Sequence, residues 1–581
     1  MQIKKTTLLQ LIVLFIVSLY IANYVHMRSG LVDFVTENEL SLPTIYSVPF
    51  GNTFSEVAKS VNHTKGFGVS WDYPPLYTAS VGFALLATGK LWGFAILLVN
   101  TFYLLVLLVF LYFLGKEMGG ALIGVISCIV VLLYPSTYAG YNMFSLDFPL
   151  MACMVFSIYA LIKSRNFIDI RWCVLLGISI GVSMMVRETY GAFIVGPIIL
   201  GFYVASKKIA QNDLSSMKNF FFCMCLAAII MLPYYADGRV LTSLYSGPFA
   251  ELPSLYPWYS FESLRIIGLW DNQLTPFFLI ILLFGVYFFM REVDKDVKVI
   301  IALWIVIPMV ITLFMKHQNS PRYLLPLQPA FALISAFALK NIVVKKRGLI
   351  AIVLIVLIGL FQLSDITYGT LLKSVGYENL RYFQENPDFE ISIEKKLIKS
   401  QAVKTISKRV LMQMQTKKRS ILTDDPFVVL SITSGGERSW ADYCWVDYVL
   451  PRYFQLNEIS VQYLYSFQAG IRMKAGHLSE VTNMLNEIDA ILYFVPVQEQ
   501  NFQKSISIDV IRDNTMNYWR GDSQYSDVML YEGLWHKFNQ SLRAQGIIFQ
   551  DSKYKVYYYY KTYGDNEPVM GDYSPSKRET L

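Results

Sequence analysis

Long apolar runs broken by short polar turns dominate the first 368 residues of this 581-residue chain. Runs long enough to cross a bilayer fall near 7–25, 91–114, 119–135, 148–163, 172–187, 189–205, 219–236, 274–290, 299–315, 323–340 and 348–368. This pattern predicts a polytopic α-helical membrane protein with about eleven transmembrane helices. A shorter run, 75–89 (PLYTASVGFALLATG), sits between polar stretches and predicts a juxtamembrane helix lying flat in the first outer loop. After 368 the pattern changes to that of a soluble domain. RSILTDD, FVVLSI, DAILYFVP, GIIFQ and KVYYYY read as strands, while LSEVTNMLNEI and the run around Leu530–Leu542 read as helices. Such alternation predicts a C-terminal α/β domain. The expected division is therefore 1–368 for the membrane domain and 369–581 for an extracytoplasmic α/β domain.

Composition agrees with this division and narrows it. The chain is 54% hydrophobic and 16% charged, whereas soluble domains carry about one quarter charged residues. Its 39 Tyr and 39 Phe suit aromatic belts at two membrane interfaces. The net charge of +7 resides largely in short loops holding Lys116, Lys163, Arg165, Arg171, Lys207, Lys208, Lys345, Lys346 and Arg347. If the amino terminus is inside and 75–89 does not cross, all these loops face the cytoplasm, as the positive-inside rule requires. The charge thus points to topology, not to nucleic-acid binding. Lys4 and Lys5 followed by an apolar run resemble a signal peptide, but no small-residue cleavage site follows, so a retained first helix is expected. The six cysteines show neither metal-ligand nor disulfide spacing.

With that topology, several ionisable residues gather on the outer face. The segment KHQNSPRYLLPLQP places Lys316 and Arg322 in one turn between two apolar runs, with Tyr323 beside them. Cations near hydrocarbon cost about 2.5–3.5 kcal/mol unless they snorkel or pair. These residues are therefore either snorkelling cations with a belt tyrosine or an anion site at the membrane surface. VRETYG sets Arg187 beside Glu188, readable as mutual neutralisation or as a second anion ligand. SLDFPL puts Asp147 at a helix entrance, where an N-cap and a cavity-facing carboxylate are compatible roles. Asp33 lies just beyond the first span, and Glu56 and Asp72 are further carboxylates in the same loop. Carboxylates and cations on one face suit sugar transfer from a lipid phosphate. A carboxylate takes the acceptor proton, and the departing phosphate needs cationic stabilisation rather than a general acid.

The order of these segments resembles the C-type superfamily of membrane glycosyltransferases, in particular the protein O-mannosyltransferase and lipid A aminoarabinose transferase branch. Asp33 falls where that family has an acidic residue after its first helix. WDYPPLY is similar to its Pro-Pro-Leu-Tyr entry to a juxtamembrane helix. YPSTYAGYNMFSLDFPL, GISIGVSMMVRETYG and KHQNSPRYLLPLQPAFAL resemble its second-loop acid, its Gly-rich helix ending in a cation, and its Lys…Arg-Tyr-x-x-Pro segment. The resemblance covers roughly 1–368 and implies an inverting glycosyltransferase that uses a polyprenyl-phosphate sugar on the extracytoplasmic face. It implies catalytic roles for Asp33 and Asp147, with Glu56 and Asp72 as alternatives. It further implies substrate binding by Arg187, Lys316, Arg322 and Tyr323. Many relatives carry Asp-Glu-Tyr in the first loop; here Phe34 follows Asp33, so which carboxylate serves as base stays open.

No cofactor is expected, the polyprenyl-phosphate sugar being the donor substrate, and a divalent metal is left open. The expected partners are the lipid bilayer, the lipid-linked donor and an acceptor that is a lipid, glycan or protein. The competing reading is a transporter, flippase or polymerase of lipid-linked glycans. A flippase calls for ionisable groups deep in its spans or broken helices at the midplane, whereas the charges here cluster at span ends.

Overall fold

The computed structural model describes residues 33–34, 74, 76–87, 92–141, 143–209, 214–236, 270–314, 321–343, 350, 353–361, 402, 405–415, 427–433, 461–464, 488–496, 543–550 and 554–560. The expected first span at 7–25, most of the outer segment 237–273, and both expected tail helices lie outside them. The chain divides into two compact units, Met1–Ala58 with Val69–Lys396 and Lys59–Gly68 with Leu397–Leu581.

In the first unit, helix α1 (Leu76–Ala87) is followed by α2 (Trp92–Gly119), α3 (Ala121–Leu133) and the short α4 (Pro135–Tyr141). Then come α5 (Asp147–Lys163), α6 (Ile170–Met184), α7 (Tyr190–Ile209), α8 (Ser215–Tyr235), α9 (Trp270–Glu292) and α10 (Lys295–Phe314). A 3₁₀ segment, Pro321–Leu327, leads into α11 (Gln328–Val343). Among the described residues, α2, α7, α8 and the stretch Tyr323–Ile342, which joins the 3₁₀ segment to α11, contain windows long and apolar enough to cross a membrane, and α3 and α6 are shorter apolar helices. The outward faces of the bundle are themselves apolar: Ile199, Ile229, Leu283 and Phe284 are each more than 60% exposed. A helix apolar on all sides, with its outer face uncovered, is what a bilayer solvates. The first unit is that of an integral membrane protein.

α1 is 12 residues long. At 1.5 Å per residue it spans about 18 Å, well short of a bilayer core of about 30 Å. Its length suits the expected juxtamembrane helix. It is anchored by two bonds: the Leu76 amide donates to Met185 O at 2.9 Å, and the Tyr77 hydroxyl donates to Asn100 Oδ1 at 2.8 Å.

α5 is the inner helix of the bundle and packs against α2, α6 and the 3₁₀ segment. All but one of the residues from Asp147 to Leu161 are buried. Apolar burial gives helices little reason to associate in lipid, so close backbone approach and interhelical hydrogen bonds take its place. Gly177 on α6 supplies the first: a Cβ built there would lie 2.6 Å from Cys223 O on α8. Ser157 on α5 supplies the second, lying 2.5 Å from Ser179 Oγ on α6 and accepting from the Tyr190 hydroxyl at 2.7 Å.

The two ends of this unit differ in charge. Lys163 pairs with Glu117 at 3.2 Å and Lys340 with Glu292 at 2.8 Å. These pairs share an end with the helix termini that carry Lys116, Arg165, Arg171, Lys207, Lys208, Lys218, Lys295 and Lys298. At the opposite end, where α5 begins and α6 finishes, the described cations are Arg187 and Arg322.

The run expected as a helix over 323–340 is a 3₁₀ segment for its first part and α-helical only from Gln328. Pro326 explains the change: it lacks an amide hydrogen and its ring crowds the preceding turn, while Pro329 falls in the first turn of α11, where proline is tolerated. The loop expected at 136–147 holds α4 and a two-residue strand, β2 (Met143–Phe144), which pairs in parallel with β1 (Asp33–Phe34).

The described residues of the second unit include a five-stranded sheet. Its strands are β3 (Phe427–Thr433), β4 (Val461–Leu464), β5 (Ile488–Pro496), β6 (Arg543–Gln550) and β7 (Tyr554–Tyr560), in the order β4-β3-β5-β7-β6. β4, β3 and β5 run parallel, and β7 and β6 are antiparallel additions. Four of the five coincide with runs read as strands; β4 lies in a stretch without such a run. Ala490 with Leu492, and Val556 with Tyr558, are buried at a period of two, as for strands with one face covered.

Candidate active site

The site is built at the end of the first unit where α5 begins and α6 finishes, from the starts of α5 and α7 and the 3₁₀ segment. Asp147 is the first residue of α5, with Leu146 in the cap position. It is therefore not the N-cap that the SLDFPL pattern suggested. Ser145 supports this helix start instead: its hydroxyl oxygen accepts from the Asp147 amide at 3.2 Å, and its hydroxyl donates to Asp147 Oδ2 at 3.1 Å.

Arg187 sits in the tight turn between α6 and α7, held by a bond from its amide to Ser183 O at 3.0 Å. Its Nη1 donates to Asp147 Oδ1 in a short ion pair. Both side chains are buried, each about 2% exposed. Of the two sequence readings for Arg187, neutralisation by adjacent Glu188 and a free anion ligand, neither anticipated this partner. Adjacent residues in a turn diverge, while α5 and α6 are packed neighbours. Tyr323, in the 3₁₀ segment, faces Arg187, with the guanidinium carbon 5.2 Å from its ring centroid. A guanidinium over an aromatic face is attracted by the ring quadrupole, and most strongly where water is excluded.

Asp33 is placed by its backbone. β1 pairs in parallel with β2, in register Asp33 with Met143. Paired strands lie about 4.8 Å apart. The four residue steps from Met143 to Asp147 cover at most about 14 Å even when fully extended. The first-loop acid is thus tied to the segment that leads directly into Asp147. Arg322 is placed by its position in the 3₁₀ segment, next to Tyr323. Lys316, Glu56 and Asp72 lie outside the described residues. Of the predicted site residues, the fold therefore unites Asp147, Arg187 and Tyr323 by side-chain contact, with Asp33 and Arg322 adjoining by backbone.

Several residues that hold this end together went unnoticed in the sequence. Asn100 is fully buried and donates to Tyr141 O at 2.7 Å while accepting from Tyr77. Gln328 is fully buried and bonded to Ser136 and Thr137. The signal was available: Asn100 is the one amide in WGFAILLVNTFYLL, and Gln328 stands between two prolines in an apolar run. A polar side chain in a span requires a partner.

Comparison with known proteins agrees with this picture. Residues 72–236, from the juxtamembrane entry through α8, match the family model "Dolichyl-phosphate-mannose-protein mannosyltransferase". No functionally curated protein matches the chain in sequence. Among solved structures, ArnT from Cupriavidus metallidurans bound to undecaprenyl phosphate superposes with a TM-score of 0.55 at 11% identity, covering 95% of this chain and 97% of that one. The apo form of the same protein gives 0.52 at 12% identity, covering 94% and 97%. At such identities the likeness is one of fold. The chain has the fold of the C-type membrane glycosyltransferases, the superfamily its motifs resemble.

Proposed function

We propose that this protein transfers a sugar from a polyprenyl-phosphate donor to an acceptor hydroxyl, with inversion at the anomeric carbon. The observation that carries this reading is the tie between Asp33 and the Asp147–Arg187–Tyr323 cluster through the β1–β2 pair. That ArnT binds undecaprenyl phosphate in the same fold supports a lipid-phosphate donor.

In the proposed reaction the acceptor hydroxyl gives its proton to a carboxylate as its oxygen bonds to the anomeric carbon. The bond from that carbon to the phosphate oxygen breaks, and polyprenyl phosphate leaves with the electron pair. Both carboxylate oxygens of Asp147 already accept hydrogen bonds, from Arg187 and Ser145. Asp33 is therefore the better base, and Asp147 the group that holds Arg187 in place. Arg187, Lys316, Arg322 and Tyr323 form the donor site. Because Asp147 offsets the charge of Arg187, Lys316 and Arg322 supply the net positive charge for the departing phosphate.

Orientation follows from charge. The lysine-rich end suits the cytoplasm and the site end the extracytoplasmic face of the plasma or inner membrane. About eleven spans and an extracytoplasmic α/β domain complete this reading.

The test is transfer from radiolabelled polyprenyl-phosphate sugars by the purified full-length protein. Asp33→Asn is expected to lower turnover by about 10²–10⁴-fold, the usual contribution of a positioned base, while binding of undecaprenyl phosphate is retained. Undiminished turnover in the folded variant would remove Asp33 from the role, and the same assay on Glu56→Gln and Asp72→Asn would then locate the base.

A further inference from the structure

The cation-bearing segment and the strand pair that carries Asp33 come from distant parts of the chain, yet transfer needs them in register. The contacts that join the 3₁₀ segment to the region 135–187 include three that differ in kind. Tyr323 faces Arg187. Leu325 packs onto Gly140 so closely that a Cβ built on the glycine would lie 2.8 Å from Leu325 Cδ2. Gln328, where the segment becomes α11, uses both ends of its amide on α4. Its Oε1 accepts from Thr137 Oγ1 at 2.7 Å, and its Nε2 donates to Ser136 Oγ.

α4 is held at its far end as well. Asn100 Nδ2 donates to Tyr141 O at 2.7 Å, and the Tyr141 hydroxyl lies 2.8 Å from Thr101 Oγ1. Two residues beyond Tyr141, Met143 pairs with Asp33. A continuous frame thus runs from the Arg322–Tyr323 pair through Gln328 and α4 to Asp33. Pro326 and Pro329 stiffen the entry to it, since each fixes its own φ.

We propose that Gln328 is a positioning residue for the transfer reaction, setting the spacing between the phosphate-binding 3₁₀ segment and the strand pair that presents Asp33. The inference rests on the function proposed above. A fully buried amide that satisfies both of its ends on one short helix fixes distance and rotation together, which an apolar contact does not. Misplacement by about 1 Å at a reacting centre is enough to cost about 10²-fold in rate.

Two measurements on the full chain test this. Gln328→Met keeps the side-chain length and removes both hydrogen bonds, and Thr137→Val removes one of them without changing shape. First, hydrogen–deuterium exchange of the peptides covering 135–144 and 321–328 should rise in both variants, while peptides from α8 stay unchanged. Second, with a polyprenyl-phosphate sugar donor, Gln328→Met should lower kcat about 10–100-fold with donor KM within about 3-fold. The double variant should be little worse than Gln328→Met alone. Unchanged exchange in both peptides overturns the clamp whatever the activity. Raised exchange with unaltered kcat overturns the positioning role. Should the wild-type protein transfer no sugar, the exchange data still decide whether Gln328 joins the two segments, and the failure is that of the proposed function.

Discussion

The buried pair between Asp147 and Arg187 offers the most direct test of the site's physical logic. Both side chains are about 2% exposed, and their contact is short and direct. Removing one partner leaves the other's charge in a medium that cannot solvate it. Such single removals cost about 3–5 kcal/mol, while replacing both partners with neutral groups of similar shape is often close to neutral. Arg187→Gln is therefore expected to destabilise the fold by about 3–5 kcal/mol, and Asp147→Asn by a similar amount. The double variant Asp147→Asn/Arg187→Gln restores a neutral hydrogen-bonded pair and should recover at least about 2 kcal/mol of the summed loss, a coupling within the range seen for residues in direct contact. Because the pair is buried, the loss should change little with ionic strength, unlike that of a surface ion pair. The assay is unfolding of the purified protein in detergent, followed by loss of monodisperse material against temperature and denaturant, at low and high salt. Additive single losses would refute the coupling, and a strong salt dependence would refute the burial. Activity then separates two roles for Asp147. If it only holds Arg187, Asp147→Asn and Arg187→Gln lower transfer alike and the double variant loses little more than either. If Asp147 is itself the base, Asp147→Asn lowers transfer far more than Arg187→Gln does, and transfer stays absent in the double variant although stability returns.

Two further outcomes are expected. Arg322→Ala should weaken binding of undecaprenyl phosphate about tenfold or more, the scale of one charge-assisted hydrogen bond at about 1.5–3 kcal/mol, with the fold retained; a titration by intrinsic fluorescence would measure it, and unchanged binding would remove Arg322 from the donor site. Gly177→Val should lower the yield of folded protein by forcing α6 from α8, since even a Cβ there lies 2.6 Å from Cys223 O; overpacking of this kind costs about 1–3 kcal/mol, and size-exclusion profiles of wild type and variant compared side by side would reveal it.

Much of this architecture was readable from hydropathy alone. The positions of α2, α3 and α5 to α10 follow from apolar runs of membrane length, because a span satisfies its backbone internally whatever surrounds it. The polar-flanked run at 75–89 likewise announced a helix too short to cross. Where the pattern misled, proline was the cause. The run over 323–340 is mostly apolar, but Pro326 diverts its first part into the 3₁₀ segment that carries Arg322 and Tyr323. The order of motifs pointed to the C-type glycosyltransferase fold, and the matches to the family model and to ArnT agree.

The sequence by itself determined which residue types stand at which helix ends: an acid at 147, a cation at 187, an Arg-Tyr pair at 322 and 323. Only the tertiary structure decided who meets whom. Arg187 meets Asp147, forty positions away, because α5 and α6 lie side by side and direct the pair into one buried space. Asp33 joins the site through two backbone residues pairing with Met143 and Phe144, a register that no local pattern announces. Gln328 reads as a stray polar residue between prolines until α4 is seen against it. Local periodicity sets the axis and length of a helix. The partner of a buried charge is set by which helix ends converge, and that depends on the packing of the whole bundle.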